Sequence, residues 1–188
     1  MILVYTGDGK GKTSACTGQA VRALGQGMKV AFGQFMKRDG QAGEQAMLSQ
    51  WLGPRFVAGG LGFLRKDEDR PAHRQAALRM LDWAREQLAH VDMLVLDETL
   101  YALSAGILTQ KEVEDLLALA RLPGLQAGEH LAVAGLGLAL LLVVEDLRVA
   151  AAEVGGGPDH LRRRLQSRFD VAQRLVGLGH RRAVGGLH

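Results

Sequence analysis

Two clusters in this 188-residue chain have the residue types and spacing to work on a polyphosphate. The first is Thr6-Gly-Asp-Gly-Lys-Gly-Lys-Thr-Ser14, in which Gly7, Gly9 and Gly11 alternate with Asp8, Lys10 and Lys12. Glycine permits backbone angles closed to other residues, so the N–H groups can turn inward around an anion. A helix starting near Lys12 adds unpaired N–H groups and the positive end of its dipole, and Lys12 adds a full charge. Thr13 would offer its hydroxyl to the magnesium that travels with a nucleoside triphosphate. In the usual pattern G-x-x-x-x-G-K-[ST] the first glycine would fall on Thr6, with Gly7 one place later, so this loop is a variant. The second cluster is Asp97-Glu98, at the end of the apolar run Val91-Asp-Met-Leu-Val-Leu. A buried parallel strand can deliver such a pair to a magnesium nucleotide, one acid ligating the metal and the other orienting its water shell. The bland alternatives are a ligand-free glycine turn and a strand followed by a charged turn.

These residues need particular elements beneath them. Residues 2–5 are aliphatic or aromatic and suit a buried parallel strand. Ala15, Cys16, Ala20, Val21 and Leu24 recur at helical spacing before Gly25 and Gly27 stop the helix. Residues 29–35 read as a second strand, which completes a βαβ unit and implies a parallel sheet with its crossover helix on one face. The polar loop 36–44 follows at that strand's carboxyl end, where ligands gather in open α/β sheets, and its Lys37 and Arg38 could meet phosphates or simply be solvated. Residues 45–52 suggest a short helix closed by Gly53-Pro54, and residues 55–58 an edge strand. The loop 59–63 holds three glycines and Phe63, and has the composition of a lid or of a plain connector. Ala76, Ala77, Met80, Leu81, Ala84 and Leu88 form a helical stripe within residues 72–89. Thr109-Gln-Lys-Glu112 has the form of a capping box opening a helix toward Arg121, ended by Pro123-Gly124, and residues 130–135 are a candidate last strand. The expected fold is α/β, a P-loop NTPase-like, mostly parallel sheet with helices on both faces. Residues 1–147 would form the nucleotide-binding domain and residues 148–188 a basic C-terminal segment.

Composition narrows the functional classes. A chain with 47% hydrophobic and 23% charged residues is globular and long enough to bury a core without metal or disulfide staples. Residues 148–188 hold eight arginines against three acids, so the excess of positive charge lies in a tail. That is a weaker signal than a basic face interleaved with aromatics, and no nucleic-acid partner is inferred. The single Cys16 cannot pair within the chain, no basic and apolar leader precedes Thr6, and the apolar run 131–144 falls short of the roughly 20 residues of a membrane-spanning helix. A cytoplasmic protein is expected. The six histidines show no metal-ligand spacing, and the absence of asparagine removes the N-K-x-D guanine motif of a GTPase.

The motif Tyr5-Thr-Gly-Asp-Gly-Lys-Gly-Lys-Thr13, with Gln34-Phe-Met-Lys37, Gly43-Glu44, Gly62-Phe63, Leu94-Val-Leu-Asp-Glu98, Tyr101-Ala and Gly106-Ile-Leu, resembles the ATP:corrinoid adenosyltransferases in order and spacing over residues 2–121. The resemblance implies an enzyme, usually a homodimer, that transfers the 5′-deoxyadenosyl group of ATP to Co(I) of a reduced corrinoid such as cobalamin or cobinamide and releases triphosphate. It also implies Mg2+ or Mn2+ as cofactor and a flavodoxin-type reductant. Thr6, Gly7, Asp8, Gly9, Lys10, Gly11, Lys12, Thr13 and Ser14 would hold the triphosphate. Lys12 and Glu98 would be catalytic, Thr13, Asp97 and Glu98 would serve the metal, and Phe63 would lie against the corrinoid, helping to displace its lower axial ligand. An enzyme attacked at C5′ must anchor the triphosphate as leaving group, whereas a kinase must expose the γ-phosphate. A reversed placement of ATP along the loop would fit its unusual glycines.

The chain departs from the family pattern in places. It has Gly62-Phe-Leu-Arg65 where the family reads G-F-T-W, and Ala134-Gly135-Leu136 where it reads T-G-R. Residues 138–188 contain no Lys, Thr, Tyr, Trp or Met, and lack the V-T-E-M and K-H-x-F segments. Divergence of a helical tail explains this, and so does an out-of-frame reading of the gene, which the coding DNA would reveal. The rival functions are another P-loop kinase or ATPase, and a degraded, non-catalytic relative that binds ATP or corrinoid.

Overall fold

A computed structural model of the chain describes residues 2–5, 10–120 and 139–143, the last as backbone. The strands are β1 (Ile2–Tyr5), β2 (Val30–Gln34), β3 (Phe56–Ala58), β4 (Met93–Asp97) and β5 (Ala139–Val143). The helices are α1 (Lys12–Gly25), α2 (Glu44–Leu52), α3 (Arg70–Leu88), α4 (Thr99–Ser104) and α5 (Gln110–Leu119). Every strand pair is parallel, in the order β1-β5-β4-β2-β3.

The strands are apolar without polar alternation because both faces of the sheet are covered. Successive side chains point to opposite faces. Val30, Phe32, Met93 and Val95 pack with Cys16, Ala20 and Ala23 of α1 and Leu48 and Leu52 of α2. Ala31, Leu94 and Leu96 pack on the other side with Ala77, Met80, Leu81 and Ala84 of α3 and Val113, Leu116 and Leu117 of α5. This is the expected two-faced α/β arrangement, and β3 takes the edge foreseen for it. The expected capping box also forms: Glu112 N–H donates to Thr109 Oγ1 at 3.3 Å, and Thr109 N–H donates to Glu112 Oε2 at 2.9 Å.

Two features were not anticipated. The chain after β4 enters the short helix α4, turned into it by Glu98, whose φ of 65° is left-handed. The last described strand is β5 at Ala139–Val143, wedged between β1 and β4. The strand expected at 130–135, residues 6–9 of the glycine loop and the basic segment 148–188 lie outside the described residues. Among the described residues, no helix is long and apolar enough to cross a membrane.

Candidate active site

The sheet register creates the site. Gln34, the last residue of β2, pairs with Asp97, the last residue of β4, so an amide and a carboxylate sit side by side at the carboxyl end of the sheet. Phe35 N–H donates to Asp97 C=O at 3.0 Å and carries the ladder one step further. From the neighbouring layer, α1 brings its first turn down onto the same point. Gly11, with φ 98°, makes the left-handed turn into that helix, a conformation costly for any residue with a Cβ.

Thr13 Oγ1 lies 3.2 Å and 3.3 Å from the two carboxylate oxygens of Asp97, to which its hydroxyl donates. The threonine at the start of α1 and the strand-end acid, 84 residues apart, are thus in direct contact. Lys37 Nζ stands 3.1 Å from Thr13 Oγ1, 3.0 Å from Asp97 Oδ2 and 3.2 Å from Glu44 Oε1. Gln34 Nε2 donates to Asp97 Oδ2 at 2.9 Å and to Glu44 Oε1 at 3.1 Å. Gln45 Nε2 in turn donates to Gln34 Oε1 at 2.8 Å and to Arg38 C=O at 3.0 Å. The accepting oxygen of Gln34 is therefore turned toward Gln45, which aims its NH2 at the two carboxylates. Asp97, Gln34 and Gln45 are buried, and such buried polar groups are stable only when hydrogen-bonded.

The electrostatics follow from this packing. Burial pushes the Glu44 carboxyl up, but hydrogen bonds from its own backbone and from Gln34, together with the Lys37 charge, outweigh burial and leave it below its usual 4.5. Cys16, one turn into α1 and fully buried, has its thiol pushed up to about 12, first by burial and then by the Asp97 charge. It is a packing residue, not a nucleophile.

The remaining anticipated residues fall as follows. Lys12 is buried at the start of α1, while Lys10, Gly11 and Ser14 are exposed. Thr6, Gly7, Asp8 and Gly9 lie outside the described residues. Glu98 is buried immediately after Asp97, in a left-handed conformation that costs a non-glycine residue on the order of 1–3 kcal/mol. Phe63 packs edge-on against Tyr101 with ring centroids 5.7 Å apart. Its loop is tied down at its base: Gly59 N–H donates to Gln34 C=O at 3.2 Å and Gly60 N–H to Lys37 C=O at 3.0 Å. A Cβ on Gly60 would collide with the Phe35 carbonyl, so this glycine serves a close backbone approach.

Sequence reasoning missed Gln34, Glu44 and Gln45 as site residues, and expected of Lys37 either a meeting with phosphate or a solvated place in its loop. One signal was available, since Gln34 is the polar end of the otherwise apolar strand Val30–Gln34. Chemically, Thr13, Glu44 and Asp97 present hard oxygen donors, which fit a small divalent cation. Among the described residues there is no cluster of three or more His, Cys, Asp or Glu side chains to hold a metal by itself, so such an ion would draw further oxygens from a phosphate chain.

Comparison with known proteins agrees with this geometry. The model of the family described as ATP:corrinoid adenosyltransferase BtuR/CobO/CobP matches residues 1–135. The chain is similar to corrinoid adenosyltransferase CobA of Salmonella typhimurium, 37% identical over 115 residues that make up 60% of this chain and 58% of that protein. It is also similar to the corrinoid adenosyltransferases of Escherichia coli, 36% identical over 115 residues, 60% of this chain and 58% of the relative, and of Pseudomonas aeruginosa, 37% identical over 144 residues, 73% and 66%. The matched stretch thus spans 58% to 66% of the length of these relatives. Strand-end acid, helix-start threonine and family pattern coincide over the same residues, and the chain belongs to the ATP:corrinoid adenosyltransferase BtuR/CobO/CobP family.

Proposed function

We propose that this protein transfers the 5′-deoxyadenosyl group of ATP to the Co(I) centre of a reduced corrinoid and releases triphosphate. The observation that carries this reading is the contact of Thr13, in the first turn of α1, with Asp97 at the end of β4, within a chain of this family. In the reaction the cobalt lone pair of the substrate attacks C5′, the C5′–O bond breaks, and its electron pair leaves with the triphosphate.

No side-chain nucleophile is needed, so the protein's task is positioning and charge stabilisation. The backbone of residues 7–14 and the Lys12 ammonium would bind the triphosphate and stabilise charge developing on the leaving oxygen. Thr13, Asp97 and Glu98 would hold a divalent ion, Mg2+ or Mn2+, which when bound supplies further charge neutralisation at the phosphates. Phe63, standing on Tyr101, would present an aromatic face to the corrinoid. A homodimer, a flavodoxin-type source of electrons for Co(I) and a cytoplasmic setting complete the proposal.

Product analysis separates this reading from its rivals. Under anaerobic conditions with cob(I)alamin and magnesium ATP, the expected products are a light-sensitive adenosylated corrinoid and intact triphosphate in equal amounts. Release of ADP would favour a kinase or ATPase. Binding of both ligands with no product would favour a non-catalytic module.

A further inference from the structure

The Lys37 ammonium lies among the Thr13 hydroxyl, the Glu44 carboxylate and the Asp97 carboxylate at 3.1 Å, 3.2 Å and 3.0 Å. Those oxygens belong to the donor set that suits a divalent ion. We propose that Lys37 is a placeholder cation, which keeps divalent metal out of the nucleotide-free site and is exchanged for it when a metal–nucleotide complex binds. This rests on the functional reading above and adds to it a role for a residue outside the triphosphate loop.

The physical case has three parts. First, Lys37 is buried with its charge set against Asp97, which is fully buried, and Glu44, which is partly buried. Without a cation there, two carboxylates bridged by Gln34 would face each other in a low-dielectric site, which is strongly unfavourable. Second, an ammonium and a divalent ion cannot occupy this space together. Ammonium contacts run near 3 Å, whereas Mg2+ demands oxygens at about 2.0–2.1 Å, so the metal requires the ammonium to leave and the oxygens to draw in. Third, the backbone of Lys37 is anchored, its carbonyl accepting from Gly60 N–H at 3.0 Å, so exchange needs only rotation of a long, unbranched side chain. Lysine suits this task better than arginine, because its compact charge on a four-carbon stem does not lock onto a carboxylate as a planar fork does. A triphosphate arriving with its metal supplies the displaced ammonium with a new anionic partner.

The test uses Mn2+ alone, followed by electron paramagnetic resonance, on the full chain without nucleotide. Lys37→Met, which keeps an unbranched stem close to lysine's and removes the ammonium, is expected to bind Mn2+ at least tenfold more tightly than the unaltered protein. Lys37→Arg, which keeps the charge, is expected to exclude it as the unaltered protein does. Should Lys37→Met be poorly stable, millimolar Mn2+ is expected to restore its melting temperature while leaving that of the unaltered protein unmoved. Equal Mn2+ affinity in Lys37→Met and the unaltered protein, or a destabilised Lys37→Met that Mn2+ does not restore, would overturn the proposal. Adenosyl transfer by the unaltered protein with manganese ATP, measured alongside, keeps the two failures apart. Product without a gain in Mn2+ affinity defeats the placeholder and leaves the transferase reading standing.

Discussion

Two ion-pair constructions in this molecule use opposite chemistry. Between α3 and α5, Arg74 grips Glu112 with both terminal nitrogens and also donates to the Ile107 carbonyl at 2.9 Å. At the end of the sheet, Lys37 shares one ammonium among oxygens from α1, α2 and β4. The guanidinium fork fixes two carboxylate oxygens in one plane and resists exchange, while the ammonium is a point charge that other cations can replace. Sites for holding and sites for exchanging are thus distinguished by the cation chosen. The first ties α3 to the start of α5, and the second lies at the carboxyl end of the sheet, where the proposed function puts the triphosphate and its metal.

Substitutions sharpen the contrast. The largest effect is expected from Lys12→Ala, which removes the charge at the start of α1 and should lower ATP-dependent turnover by on the order of 10²–10³-fold. Unchanged rates would take the glycine loop out of the mechanism. Asp97→Asn should come next, with a loss on the order of 10²-fold and a raised requirement for Mg2+ in steady-state titrations; a loss of activity that excess metal leaves unaltered would instead mark a folding role.

At the fixed clamp, Arg74→Ala should leave metal dependence untouched and cost about 1–2 kcal/mol in urea unfolding, a figure reduced for partial exposure of the pair. Its pH dependence has a definite sign. The Arg74 hydrogen bonds hold the Glu112 carboxyl at about 2, below its usual 4.5, so this stabilisation is complete above 4.5 and is lost as pH falls through about 2. The difference between the unaltered protein and Arg74→Ala should therefore shrink between those values, and a constant difference would contradict the ion-pair account. The smallest effect concerns Cys16. With its thiol pushed up to about 12, it should resist alkylation at pH 8 until denaturant is added. Rapid labelling of the folded protein would show that α1 is not packed as described.

Much of this was legible in the chain itself, for physical reasons. Strands Val30–Gln34 and Met93–Asp97 announce themselves because burial on both faces demands continuous apolar runs. The α5 start was readable because a capping box satisfies its N–H groups with local residues alone. Asp97 stood out because an acid ending such a run has to meet a cation. The network of Gln34, Glu44 and Gln45 was not readable, since it depends on sheet register and on how α2 lies over β2, which are long-range facts. Helix α4 was missed because its left-handed start is made by Glu98, where a turn would usually advertise itself with glycine or asparagine. Strand β5 at Ala139–Val143 was not anticipated, because it lies inside an apolar stretch whose uniformity gives periodicity nothing to register.

The central claim is that the glycine loop and the strand-end acid form one triphosphate–metal site. A crystal of the protein soaked with magnesium and a non-hydrolysable ATP analogue tests it most directly. The account predicts the polyphosphate cradled by residues 7–14, with the metal within coordinating reach of Thr13 and the Asp97-Glu98 pair. A polyphosphate lodged anywhere else on the molecule would contradict it.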